Sequence, residues 1–156
     1  MPKVRPATLD DIAELVRLRA ALAVALAPDA AEPPPDGTGW RETCAAMLAE
    51  QLADDAARTV VIDGETGLAA CGMGVIDRRL PTPYHPDGRT VYIFGIYTEP
   101  VYRRRGYARA ITEELLRWFD ERGLRRVNLI TTPAGLPLYR SLGFRDHPDR
   151  FLTRTR

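Results

Sequence analysis

The stretch from Tyr97 to Arg109 holds three consecutive arginines, Arg103, Arg104 and Arg105, followed directly by Gly106, Tyr107, Ala108 and Arg109. Where a strand gives way to a helix, such a stretch can hold phosphate. The first turn of a helix leaves amide N–H groups without intrahelical acceptors, and the macrodipole adds partial positive charge there. A pyrophosphate can therefore take several amides at once. Gly106 has no Cβ to keep an oxygen away, Ala108 is the next smallest choice, and the guanidinium groups supply charge for a pyrophosphate or a 3′-phosphate. On spacing alone the same residues read equally well as a solvated helix entry with a turn glycine. Other phosphate signatures are excluded. No glycine-rich run ends in Gly-Lys-Ser or Gly-Lys-Thr, and Gly72 and Gly74 lack a third glycine and lie inside a strand-like run.

The two thiols, Cys44 and Cys71, have no second Cys or His beside them at metal-ligand spacing, so no metal site is expected. Both read as buried, reduced side chains. Cys71 sits between Ala70 and Gly72 within a strand-like run, where packing is the expected role.

Periodicity gives the elements that must position these residues. Lys3, Val4 and Arg5 read as a short first strand, and Thr8 with Asp11 as a capping box. The helix that follows has the stripe Ile12, Leu15, Val16, Leu22 and Leu26 and cannot pass Pro28. Pro28 to Gly39 reads as a loop, and a second helix carries Trp40, Cys44, Met47, Leu48 and Leu52 on one face. Thr59 to Asp63 and Leu68 to Asp77, joined by Gly64 to Gly67, predict an antiparallel hairpin. After a loop from Arg78 to Arg89, Thr90 to Thr98 is nearly apolar throughout, the pattern of a central strand covered on both faces. A helix is expected from about Arg105 to Arg122, with Ala108, Ile111, Leu115 and Phe119 inward and Gly123 closing it. Val127 to Thr131 is a strand, Pro137 to Leu142 a short helix, and Phe144 onward a final strand pair. Trp40 and Trp118 are expected in the core.

This order predicts a mixed α/β fold around one sheet, and the 156 residues fit a single domain spanning 1–156. A composition of 45% hydrophobic and 28% charged residues is that of an ordinary soluble globule. The net charge of +1 creates no field that favours nucleic acid or an anionic membrane, although all but Lys3 of the 22 basic residues are arginine. The longest apolar run, Ala20 to Ala27, is far short of a membrane span. A cytoplasmic protein with neither nucleic-acid nor membrane partner is the expectation.

Arg103-x-x-Gly106-x-Ala108, preceded by Pro100, Val101 and Tyr102, resembles the acyl-CoA signature of the GNAT superfamily of N-acetyltransferases: Gln or Arg, two residues, Gly, one residue, Gly or Ala. Downstream, Leu138, Tyr139, Arg140, Ser141, Leu142, Gly143 and Phe144 are similar to the family's late Leu-Tyr-x-x-Leu-Gly-Phe. The motifs occur in the family's order with a strand between them, and the resemblance covers residues 3 to about 145. It implies a mixed, mostly antiparallel central sheet flanked by helices, with the strands carrying Thr90 to Thr98 and Val127 to Thr131 splayed apart. It further implies acetyl-CoA as co-substrate without a metal. The pyrophosphate would lie on the amides of Arg104 to Arg109, beside the Arg103 guanidinium. The pantetheine arm would pair with the main chain of Ile96, Tyr97 and Thr98, and Tyr139 would protonate the departing thiolate. The acceptor would enter from the other side, over the loops at 28–39 and 78–89 and the turn at 131–136. The reaction implied is direct attack by a primary amine of a small molecule in a ternary complex. A protein amino group as acceptor, or a non-catalytic acyl-CoA-binding module, are the alternatives, and a homodimer is compatible with the resemblance.

The chain also departs from the family pattern. Position 104, often Gly, is Arg, and the turn ahead of the last helix has Thr132, Pro133 and Ala134 where members often have Asn. Many members place a carboxylate late in the central strand as general base, where this chain has Phe94 and Gly95. Asp77, His85, Asp87 and Glu99 are the substitutes the sequence offers, each more readily read as a solvated loop charge than as a base, while His147 reads as structural.

Overall fold

The computed structural model describes residues 2–27 and 37–155, so most of the expected Pro-rich loop lies outside the described residues. Five strands form one sheet in the order β1 (Val4–Pro6), β2 (Ala57–Asp63), β3 (Leu68–Arg78), β4 (Arg89–Thr98) and β5 (Val127–Leu129). Neighbours run antiparallel except β4 and β5, which are parallel. Helices α1 (Ile12–Leu26) and α2 (Trp40–Leu52) pack on one face, and α3 (Tyr107–Asp120) on the other. The short α4 (Leu136–Ser141) follows β5. No helix among the described residues is long and apolar enough to cross a membrane.

Two cores hold the layers together. Leu15, Leu18, Val61, Cys71 and Tyr97 belong to the α1 side, and Val60, Val91, Ile93, Ile111 and Phe119 to the α3 side. The most deeply covered strand is β3, buried from Leu68 to Gly74, rather than the nearly apolar β4. Gly72 and Gly74 are the reason. A Cβ at Gly72 would stand 2.3 Å from Ile111 Cγ2, and one at Gly74 would stand 2.5 Å from Phe119 Cζ, so α3 rests directly on the β3 backbone.

Some expectations need correction. Leu26 is 57% exposed, and the buried residues of α1 are Leu15, Val16 and Leu18, all in its first half. Only Leu48 of the predicted α2 face is buried. Trp40, expected in the core, is 36% exposed with the Arg41 guanidinium over its ring, whereas Trp118 is buried. No final strand pair forms among the described residues. Phe144 packs into the α3-side core, and the chain from Arg145 onward, broken by Pro148, runs without strand structure and leaves the outer edge of β5 unpaired.

Candidate active site

The β4–β5 ladder has three registered pairs, Val91 with Val127, Tyr92 with Asn128 and Ile93 with Leu129, and then stops. From Phe94 onward β4 continues without β5 beside it, which is the splay that the resemblance implied. A bulge lies at the point of divergence. Gly95 and Ile96 of β4 together face Gly72 of β3, and Gly95 has φ +65°. The extra residue inverts the alternation of the strand. Before it Val91 and Ile93 point to the α3 side, yet after it Tyr97 points to the α1 side. The backbone is inverted too. Val91 N–H reaches Arg126 O on the β5 side, whereas Glu99 N–H reaches Ala69 O on the β3 side at 2.9 Å. By the period of two, the polar backbone groups of Tyr97 face β3 and those of Ile96 and Thr98 face the open gap. Of the three residues the resemblance assigns to the pantetheine arm, Ile96 and Thr98 thus face the gap and Tyr97 faces β3. Gly95→Ala is expected to destabilise the fold by about 1–2 kcal/mol, because an L-residue resists this left-handed backbone. Its Cβ would also stand 3.3 Å from an Arg19 guanidinium nitrogen. Chemical denaturation of the variant measures the loss.

Past the gap the chain turns through Pro100–Tyr102 into α3, with Gly106 at φ +79° as its N-cap. The first ladder bond of α3 joins Ala110 N–H to Gly106 O at 3.0 Å, so the amides of Tyr107, Ala108 and Arg109 precede it. Those of Arg104, Arg105 and Gly106 have no acceptor among the described residues. Six consecutive amides are therefore available at the positive end of a helix. A Cβ on Gly106 would meet nothing within 4 Å, so the mouth of the turn is open. Arg104 is the one described non-glycine residue with positive φ, at +62°. That backbone explains why Gly is common at this position of the signature, and Arg there costs about 1–2 kcal/mol. The arginine side chains divide their roles. Arg103 lies over Tyr97 and donates from Nε to Thr98 O at 3.1 Å, and Arg105 lies over Tyr102. Arg109 donates to Ser141 Oγ at 2.6 Å, tying α3 to α4. Thr98 Oγ1 is buried without a partner. Strand-edge backbone groups that lead to six free amides fit a polar arm ending in a pyrophosphate.

Tyr139 lies in α4. Its ring meets Phe144 edge-on at 5.8 Å and lies within 3.2 Å of where a Gly135 Cβ would be. Burial raises the phenol above its ordinary pKa, and the Thr112 hydroxyl partly opposes that shift. The phenol stays protonated at neutral pH. Thr112, fully buried on α3 with its own hydroxyl donating to Ala108 O at 2.7 Å, was missed in the sequence, where it sits inconspicuously beside the apolar stripe. Tyr139, Thr131 and Leu136 border a cavity of about 1020 Å³ that follows β5 to Arg126.

The substitute bases are all engaged. Asp77 pairs with Arg79 at 2.7 Å, Glu99 with Arg17, and exposed Asp87 with Arg89, whose amide and guanidinium hold its carboxyl below the usual range. The His85 and His147 rings both contact Arg126. Only Asp77 and His147 of these share the Tyr139 cavity. Cys71 is no nucleophile: it is 3% exposed, and burial pushes its thiol up to about 12, so almost no thiolate exists at neutral pH. Cys71→Ala is expected to cost on the order of 1 kcal/mol of stability and to leave the site's chemistry unchanged. A stability measurement, with mass spectrometry for acetyl on Cys71, checks both parts.

Solved structures share this fold along almost the whole chain. A predicted acetyltransferase from Clostridium acetobutylicum, solved with acetyl-CoA, has a TM-score of 0.84 at 23% identity, covering 99% of this chain and 96% of that one. A GCN5-related N-acetyltransferase from Ralstonia eutropha JMP134 has a TM-score of 0.80 at 24% identity, covering 99% of each chain. Glucosamine-6-phosphate N-acetyltransferase from Arabidopsis thaliana has a TM-score of 0.75 at 17% identity, covering 99% and 98%. None of the curated proteins matches the chain. The model of the acetyltransferase (GNAT) family matches residues 23–144, a span that runs from α1 through the splayed strands and the amide-rich turn to Phe144. The chain therefore belongs to the GNAT acetyltransferase family, whose members generally transfer acetyl from acetyl-CoA.

Proposed function

We propose that the protein transfers acetyl from acetyl-CoA to a primary amine of a small molecule, by direct attack in a ternary complex. The observation that carries this reading is the inverted edge of β4. The backbone groups of Ile96 and Thr98 turn into the gap left by β5 and lead to the free amides of Arg104 to Arg109. In this reading the gap orients the thioester, the amides with Arg103 hold the pyrophosphate, and Tyr139 delivers a proton to the sulfur as the C–S bond breaks. A thiol leaving group of pKa near 8.5 departs more easily when protonated, and a phenol of pKa near 10 or above is a usable donor.

The inert Cys71 favours direct attack over an acetyl-cysteine intermediate. The acceptor must still lose a proton. An alkyl amine with pKa about 10.4 requires about 4–5 kcal/mol to be freed of its proton at pH 7. Since no carboxylate stands at Phe94 or Gly95, a water chain or the acceptor's own lowered pKa takes that role. A small acceptor suits a cavity of about 1020 Å³ bordered by the C-terminal segment. The Arabidopsis relative in fold is itself named for a small amine-bearing substrate. Release of thiol from acetyl-CoA across a panel of small amines tests the reading. Turnover with at least one amine is expected; tight acetyl-CoA binding without turnover on any would favour a binding module.

A further inference from the structure

The cavity beside Tyr139 carries more positive charge than it neutralises. Five arginines and three aspartates border it. Two of the aspartates are taken, Asp77 by Arg79 at 2.7 Å and Asp146 by Arg140 at 2.9 Å. Arg126, Arg145 and Arg150 are left with Asp149, and none of them has an ion pair among the described residues.

Arg126 is held in an unusual way. Its Nη1 lies 2.8 Å from His85 Nε2 and its Nη2 3.1 Å from His147 Nε2. A guanidinium only donates and carries a fixed positive charge, so these contacts position Arg126 without discharging it. His147 Nδ1 lies 3.0 Å from Asp149 N and 3.1 Å from Asp149 O, which ties the ring to its own segment. Neither ring carries a negative charge that would cancel that of the guanidinium, and the two contacts occupy two of its five N–H donors. A positioned cation with spare donors at a cavity wall is what a carboxylate or phosphate requires.

We propose that the acceptor is an amine bearing a carboxylate or phosphate at its far end, and that Arg126 takes this anionic group. The inference rests on the amine-acetylation reading above and specifies its substrate class. Arg126 directly precedes the first residue of β5 and Thr131 lies two residues past its last, so roughly 15 Å of extended chain separates the two ends. An acceptor with its amine and its anion at opposite ends fits that layout. The same positive wall disfavours a second cation, which lowers the pKa of a bound ammonium where no carboxylate base is present.

The test uses 6-aminohexanoate and 6-aminohexyl phosphate against hexylamine. For the wild-type enzyme, kcat/KM should favour the anionic acceptors by about tenfold or more. Arg126→Gln should raise their KM by a similar factor, spare kcat, and leave hexylamine unaffected. A second readout needs no turnover. The chain has 2 histidines, and both contact Arg126. With coenzyme A present, each anionic probe should shift both imidazole NMR signals, whereas hexylamine should shift neither, and the larger response identifies carboxylate or phosphate as the preferred group. Imidazole signals unmoved by both anionic probes would overturn the inference, as would equal turnover of hexylamine. Loss of turnover with every amine, alongside the expected imidazole shifts, would count against the proposed acetyl transfer and leave the anion site standing.

Discussion

Gly106→Glu is expected to abolish acetyl-CoA binding in a protein that still folds. The backbone at this N-cap, φ +79°, resists an L-residue, but a Cβ there would meet nothing within 4 Å. The folding cost is therefore confined to left-handed strain of about 1–2 kcal/mol, within the margin of an ordinary domain. The effect on binding is far larger. A carboxylate at the head of α3 competes for the same free amides that a pyrophosphate would take, and it repels the phosphates that approach them. Calorimetry should register no acetyl-CoA binding while circular dichroism stays unchanged. Wild-type affinity in the folded variant would remove the phosphate site from Arg104 to Arg109.

Tyr139→Phe is the second large effect. Phe keeps the edge-on contact with Phe144 and the close approach to Gly135, so packing survives. What disappears is the proton. If Tyr139 protonates the departing thiolate, kcat should fall on the order of 10²-fold with little change in coenzyme affinity. Because burial raises the phenol's pKa, the protonated form persists through neutral pH, and the wild-type rate should show no loss of this acid there. Near-normal kcat in the variant, under conditions where chemistry limits the rate, would leave Tyr139 with a packing role alone.

The parts of the site that the sequence disclosed are those governed by local rules. The helix expected from about Arg105 and the hairpin between β2 and β3 follow from local pattern and turn chemistry, and both stand in the structure, the helix beginning at Tyr107. The motif around Tyr139 was legible as a short helix after a proline-marked turn. What stayed hidden depends on partners distant in sequence. Gly95 drew notice only for lacking a carboxylate, yet its bulge is what inverts β4 and opens Ile96 and Thr98 to the gap. A lone glycine inside a strand-like run was the available signal. The apolar run of β4 suggested the deepest burial, but Gly72 and Gly74 bring α3 closest to β3, a contact no single-strand pattern discloses. Likewise the Arg126 contacts with His85 and His147 join a loop, a strand entry and the C-terminal segment, residues that no spacing rule connects.

Hydrogen exchange of the wild-type protein with and without acetyl-CoA tests the central claim most directly. Helix-start amides with no internal acceptor exchange rapidly in the free protein, as do unpaired strand-edge amides. Acetyl-CoA is expected to protect two sets of amides together, those of Ile96 and Thr98 along the gap and those of Arg104 to Arg109 at the head of α3. Protection confined to other segments, or binding that leaves these amides exchanging at their free rate, would contradict that claim.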